Sequence, residues 1–331
     1  MNNGNSHIHY LKRQDIDIHR WDACIEKAPN RLVYAFHYYL DHMADGHWDA
    51  LVLGDYEAVM PLPWRRKWGL RYIYQPAFTQ QLGIFGARFQ SDLPIPRLQS
   101  DLPIPRLQSD LFFQHLYSRF RFAELFLNYQ NPTSTPQVTP GLRVPLKTHI
   151  NYILPLTPSY DQLASNYKKD LVRNLRLSSA ARLNYLHDFP LSTVLAGYHQ
   201  QYASRLPYFR PEDYRNFERL CQLMHQRGQL LIRVATDQQQ QLLATALLFR
   251  DADRLYLLQS TTLPDGRKKE ANHFLLDQLV REWAGSGLIL DFEGSDQPGI
   301  AHFYSNFGSR DQPYFFYRHN RLPWPVRLLK Q

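Results

Sequence analysis

The hydrophobic pattern runs through two rounds of the same alternation. In the first round, "DIDIHRWDACIEKA" (Asp15 to Ala28) places Ile18, Trp21 and Ile25 at helical spacing, and "VYAFHYYLDHMA" predicts a second, shorter helix. Period-two stretches then predict a hairpin, with strands Trp48–Leu53 and Glu57–Trp64 joined by a turn at Gly54 and Asp55. "LRYIYQP" reads as another strand, Pro105–Phe120 as a helix, and "FAELFLNYQ" as a strand. A Pro-, Thr- and Gly-rich piece, Asn131–Pro145, breaks the pattern and predicts a domain crossover, dividing the chain into 1–145 and 146–331.

The second round starts with a strand, "HINYILPL", and one long helix, "SYDQLASNYKKDLVRNLRLSSAARL". From about Leu191 two helices follow, the second opening on Pro211 with acidic residues and closing on Gly228. Three strands then form a meander: "QLLIRVATD", "QLLATALLFRD" and "RLYLLQST". "EANHFLLDQLVREWAGSG" is a helix with Leu275, Leu279 and Trp283 on one face and Gly285 as its stop. "LILDFEGS" predicts a strand, "GIAHFYSNFG" a helix, and "PYFFYRHN" a last strand. Both halves read helix, helix, antiparallel strands, helix, strand, so the expected class is α+β with two domains.

One repeat is literal: "SDLPIPRLQ" occupies Ser91–Gln99 and again Ser100–Gln108. Two copies of a unit this short cannot stack into a core. A duplication within a surface loop accounts for it, because closure entropy grows slowly with loop length.

Composition narrows the function. At 331 residues the chain is long for one core and suited to two. The 38 Lys and Arg against 30 Asp and Glu leave a net charge of +8, which favours anionic partners such as nucleotide phosphates. The only cysteines, Cys24 and Cys221, form neither a disulfide framework nor metal-ligand spacing. The polar start lacks an apolar signal core, and no window approaches about 18 apolar residues. These features predict a cytoplasmic protein. The 14 histidines are scattered, so no metal site is expected, and no G-x-S-x-G elbow is present.

Two places carry candidate chemistry. At "STTLPDGRKKEANHFLL" a strand ends, a Pro-Asp-Gly turn follows, and Arg267, Lys268 and Lys269 precede a helix. A helix N-terminus offers open N–H groups to an anion, so the stretch is either a diphosphate cradle or a solvated basic turn. Lys168, Lys169, Arg173, Arg176 and Arg182 make a second basic stripe, either a solvated face or a polyanion contact. In "LDFEGSDQPGIAHFYSNFG", Asp291 and Glu293 are two apart on a strand and share a side, and Tyr304 follows on the next helix.

The run from Pro264 to Phe315, with "WDALVLGDYEAVMPLPWRRKWGLRYIYQP" and "QQLGIF" in the first half, resembles the GNAT superfamily of acyltransferases, and within it the FemAB-like two-domain members. The resemblance implies two tandem GNAT-like domains, each a mixed, mostly antiparallel sheet flanked by helices, with the donor site in 146–331. It implies an acyl-CoA-dependent N-acyltransferase, with acetyl-CoA or another acyl-CoA as co-substrate. "RKKEAN" (Arg267–Asn272) stands at the diphosphate loop of Q/R-x-x-G-x-G/A type, with Glu270 where a glycine is expected. The implied donor-binding residues are Arg267, Lys268, Lys269, Ala271 and Asn272. "AHFYSNFG" fits the pattern A-x-x-[LF]-Y-x-x-x-G, which makes Tyr304 the acid that protonates the leaving thiolate. Glu293, or else Asp291, is the implied base for the attacking amine. Fem-type enzymes use aminoacyl-tRNA and carry F-K-K-G-F-G where this chain has "FYSNFG", so Tyr304 and Ser305 replace both lysines. Aminoacyl-tRNA-dependent transfer to a cell-wall precursor, with tRNA as partner, is the alternative; a non-catalytic binding protein with a degenerate site is another. The acceptor is an amine on a small molecule or a cell-wall precursor.

Overall fold

The computed structural model describes residues 7–86, 106–131, 136–203, 208–294, 297–324 and 327. The first copy of the duplicated segment, and the second up to residue 105, lie outside the described residues. The chain forms two compact units: 1–149 together with 313–331, and 150–312. Residues 313–331, which the pattern groups with 146–331, thus cluster with the first unit.

Unit 1 begins β1 (Ile8–Lys12), α1 (Ile18–Lys27), α2 (His37–Met43), β2 (Trp48–Leu53), β3 (Ala58–Lys67), β4 (Leu70–Ile73) and β5 (Phe85–Gly86). It continues with α3 (Arg106–Arg119), β6 (Phe122–Leu127) and a small hairpin, β7 (Gln137–Thr139) and β8 (Leu142–Arg143). Asp17 caps α1 by accepting from the N–H groups of His19 and Arg20, and the helix buries Trp21 and Ile25. Trp21 meets Trp48 at 5.0 Å between ring centroids. β2 is buried at every position, because helices or strands cover both its faces.

In this unit β4 and β6 run parallel, with Ile73 opposite Ala123. The chain leaves after Ile73 and returns to the same lane. Leu82 bridges Leu127, with the Leu82 N–H on the Phe126 carbonyl and the Asn128 N–H on the Leu82 carbonyl, both at 2.7 Å. β5 then pairs with β3. Gln75 accepts from the Phe126 N–H at 3.1 Å, and Gln81 from the Tyr129 N–H at 2.9 Å. The lane between β3 and β6 is therefore filled by the unit's own backbone.

β9 (Leu146–Pro155) leads into unit 2. There follow α4 (Tyr160–Ala164), α5 (Lys169–Ala180), β10 (Asn184–His187), α6 (Leu191–Tyr202), α7 (Pro211–Gln226), β11 (Leu230–Thr236), β12 (Leu242–Arg250) and β13 (Arg254–Thr262). α8 (Pro264–Lys268), α9 (Ala271–Trp283), β14 (Ile289–Asp291), α10 (Pro298–Ser305) and β15 (Arg310–Asn320) complete the chain. Strand order in unit 2 is β10-β11-β12-β13-β14-β9, with antiparallel neighbours except the β13–β14 pair. β15 takes the matching place in unit 1, antiparallel to β6. Unit 2 thus sets its own first strand, β9, beside β14, while unit 1 sets β15, from the end of the chain, beside β6.

α9 buries Ala271, Leu275, Leu276, Leu279 and Val280 on β12 and β13, and Leu171 of α5 joins that core. α6 and α7 pack on β13 and β11, with Phe217 and Phe249 stacked at 6.1 Å. Two predicted elements change and one is added. The long helix breaks after Ala164, where the N–H groups of Ser165 and Asn166 return to Asp161 and Leu163. β10, unforeseen by the pattern, takes the sheet edge. The Pro-Asp-Gly turn winds into α8, with Pro264 at its first turn, where a missing N–H costs nothing.

Candidate active site

The parallel contact between β13 and β14 is brief. Arg254, Leu255 and Tyr256 face Ile289, Leu290 and Asp291, and then β14 ends while β13 runs on to Thr262. Among the described residues no strand pairs with that edge of β13 beyond Tyr256. A bulge lies at the parting: Leu247 pairs with Gln259 and Leu248 with Leu257, so Leu258 is extra. The bulge resets which side chains face which helices. Ser260 turns to α9 and donates to Asn272 at 3.0 Å. Gln259 turns to the α6 and α7 side. Gln259 and Thr261 are 3% and 1% exposed, yet Gln259 Oε1 and Thr261 Oγ1 have no hydrogen-bond partner among the described residues. Orphaned polar atoms in a core call for a reason, and a ligand is one.

Asp291 closes β14 and is fully engaged. Its Oδ2 takes Arg254 Nη1 at 2.7 Å, and its Oδ1 takes Asn151 Nδ2 and the Glu293 N–H, both at 2.9 Å. Arg254 and Asp291 are both buried. The strand does not carry through to Glu293, which has φ +63°, so the period-two rule that puts the two carboxylates on one side stops at Asp291. Gly294 follows at φ +49°, and a Cβ there would stand 2.5 Å from the Ile150 carbonyl oxygen. The tight passage leaves Glu293 half-buried. Burial pushes its carboxyl well above the ordinary carboxylate range.

Tyr304 projects from α10 onto Phe292, ring on ring at 4.8 Å. Burial raises its hydroxyl pKa, with further contributions from Tyr202, Glu293 and Tyr198. Glu293 and Tyr304 are therefore electrostatic neighbours, and α6 supplies two more hydroxyls beside them. Tyr198 and Tyr202 have ring centroids 5.1 Å apart. Sequence reasoning missed this pair; their i, i+4 spacing was the available signal.

The basic turn is occupied by internal contacts. Lys268 pairs with Asp265 at 2.8 Å and Lys269 with Asp237 at 2.9 Å. Arg267 reaches only neutral Gln201, at 3.3 Å, and makes no ion pair among the described residues. Ala271 is buried in the core, and Asn272 holds Ser260. Glu270 sits at φ +52° before the first residue of α9, and its carboxylate turns to His273 at 2.9 Å. Gly266 is fixed by contact: a Cβ would collide with the Leu243 carbonyl. Of the second basic stripe, Lys168 donates to Ser305 and Arg173 lies 3.4 Å from Asp170, so its cations too are partly spent within the unit. No group of three metal-ligating side chains occurs among the described residues, and no described helix is long and apolar enough to cross a membrane.

Residues 166–299 match the acetyltransferase (GNAT) domain family. No curated protein matches the chain. Among solved structures the chain is similar to FemX, with a TM-score of 0.61 and 12% identity over 97% of this chain and 99% of that one. It is also similar to the C-terminal domain of a putative lysylphosphatidylglycerol synthetase from Agrobacterium fabrum, with a TM-score of 0.54 and 9% identity over 95% and 94%. L-PGS from Bacillus licheniformis gives a TM-score of 0.51 and 10% identity over 95% of each chain. Identities this low speak for the fold, while the matched domain spans the parted strands, the basic turn and Glu293. Residues 166–299 thus match an acetyltransferase (GNAT) domain, and the chain as a whole is similar in fold to FemX.

Proposed function

We propose that unit 2 moves an acyl group from an acyl-CoA to an amine, with Glu293 as base and Tyr304 as acid. The observation that carries this is the parting of β14 from β13 beside those two side chains. Among the described residues no strand pairs with that edge of β13 after Tyr256, so the amides of an extended donor can add there as a strand would. Arg267 and the first N–H groups of α9 lie beyond the end of that edge and suit the donor's diphosphate.

The amine nitrogen attacks the thioester carbonyl, a C–N bond forms, and the C–S bond breaks. The proton leaving the amine passes to Glu293, directly or through one water. The proton that the thiolate takes up comes from the Tyr304 hydroxyl. A carboxylate with a raised pKa is the stronger base, which suits this work near neutral pH. Asp291 belongs to the frame: its ion pair with Arg254 sets where β14 ends and so where the gap opens. Positioning supplies the rest of the rate.

An aminoacyl ester of tRNA is the second reading. The net charge of +8 and the lysylphosphatidylglycerol synthetase folds favour it. The acceptor would then be an amine on a cell-wall precursor or a lipid headgroup. Melting curves separate the donors. Acetyl-CoA or a longer acyl-CoA should raise Tm, and the rise should shrink in Arg267→Ala. No shift with any acyl-CoA, alongside retention of charged tRNA that falls steeply with salt, would replace the first reading with the second.

A further inference from the structure

We infer that the cavity between α6 and α7 is the acceptor site of unit 2 and that it takes a small primary amine. This rests on the reading of unit 2 as an acyltransferase and names its acceptor class. The cavity holds about 350 Å³. Ligand sites run from roughly 300 to 1,000 Å³, so this one suits a molecule of amino-acid size and is too small for a peptide-bearing nucleotide sugar.

The lining defines the ligand's chemistry. Gln259 contributes to the lining from β13, and its buried Oε1 has no hydrogen-bond partner among the described residues. An amide oxygen only accepts, so the missing partner is a donor, an N–H or an O–H. Of the charged lining residues, Arg215 is tied to Glu212 at 2.8 Å, whereas Glu218 is exposed and leaves negative charge at the site. That selects an ammonium over a hydroxyl or a carboxylate. Leu195, Ala196 and Phe217 give an apolar wall for the hydrocarbon part.

Position ties the cavity to the chemistry. Gln259 stands on the stretch of β13 that β14 has left, so an amine held there is at the gap. Tyr214, also lining the cavity, adjoins Tyr198, and Tyr198 adjoins Tyr202 beside Tyr304 and Glu293. Electrostatic coupling therefore runs from Tyr214 in the cavity through Tyr198 and Tyr202 to the proposed acid and base.

Calorimetric titration with 1,5-diaminopentane and L-lysine, against hexanoate as the anionic control, tests the inference. The wild type should bind the amines and not hexanoate. Gln259→Leu should weaken amine binding at least tenfold while Tm stays level or rises, because leucine removes the orphaned oxygen at similar volume. Its Tm shift with acyl-CoA should persist. Glu218→Gln, a surface change that the fold tolerates, should weaken amine binding several-fold. Equal binding of hexanoate, or wild-type amine affinity in both variants, overturns the proposal. A wild type that binds the amines but is stabilised by no donor strikes the transfer reading and leaves the amine site standing.

Discussion

The two units share a central run of strand, two helices, three antiparallel strands, helix and parallel strand, and they differ in how the junction of the last two strands is filled. In each, the fourth and fifth main strands run parallel, β4 with β6 and β13 with β14. In unit 1 the chain returns through Leu82, bridges Leu127 and keeps the lane shut. Asn30, Asn128 and Asn131 each donate to the Ile84 carbonyl at 2.9 Å, which fastens the returning segment. In unit 2 nothing among the described residues returns: β14 stops at Asp291, and Gln259 and Thr261 are left with orphaned atoms. One junction is closed by hydrogen bonds, and the other is left open among the described residues. A shared topology thus says little about which unit reacts; the hydrogen bonding at the junction says more.

The contrast can be broken from either side. The largest effect expected is on rate: Tyr304→Phe and Glu293→Gln should each lower transfer by about 10²- to 10⁴-fold with the fold intact. A loss below threefold in either would remove that residue from the mechanism. Next comes the frame of the gap. Arg254→Met strands a buried carboxylate and should cost about 3–5 kcal/mol in urea unfolding. If stability holds, the ion pair does not set the end of β14. Asn131→Ala removes bonds from the plugged junction of unit 1 and should cost about 1–3 kcal/mol. The Tm shift given by donor should survive it, whereas its loss would mean that the closed junction serves the open one. Gly266→Ala, pressed on the Leu243 carbonyl, should cost about 1–3 kcal/mol and reduce the donor shift, since α8 precedes the donor helix.

The smallest effect is on stability with pH. Glu293 has a folded pKa raised above its unfolded value of 4.5. Its contribution to stability is therefore fully present below that value and is lost as pH rises through the folded pKa. Glu293→Gln should match the wild type at low pH and exceed its Tm above the folded pKa. The wild-type rate should move the other way, rising with pH as Glu293 ionises. A rate that is flat through the same range would show that Glu293 is not the base.

Much of the fold could be read along the chain because its signals are local. α7 starts at Pro211 and stops before Gly228, and α9 stops before Gly285, both glycines at positive φ. The meander β11-β12-β13 follows from apolar runs between polar turns. Tyr304 and Glu293 were legible as a motif, and the structure makes them neighbours. β10 was missed because it is short and partly exposed along its length, so it has no strong period. The split of α4 from α5 was missed because the helical period continues across the break.

By itself the sequence determined most of the elements, the ends of α7 and α9, and the residue types at the basic turn and after β14. Each depends on a residue and its near neighbours, through capping, turn chemistry and burial period. Only the tertiary structure decided that most of β15 joins unit 1 beside β6, that Leu258 bulges and turns Gln259 from one face to the other, and that Asp291 spends its charge on Arg254. It also decided that Tyr198 and Tyr202 stand beside Tyr304. These outcomes depend on strand pairing and packing between residues far apart in the chain. A one-residue shift of register reverses every side chain that follows, and no local pattern records it.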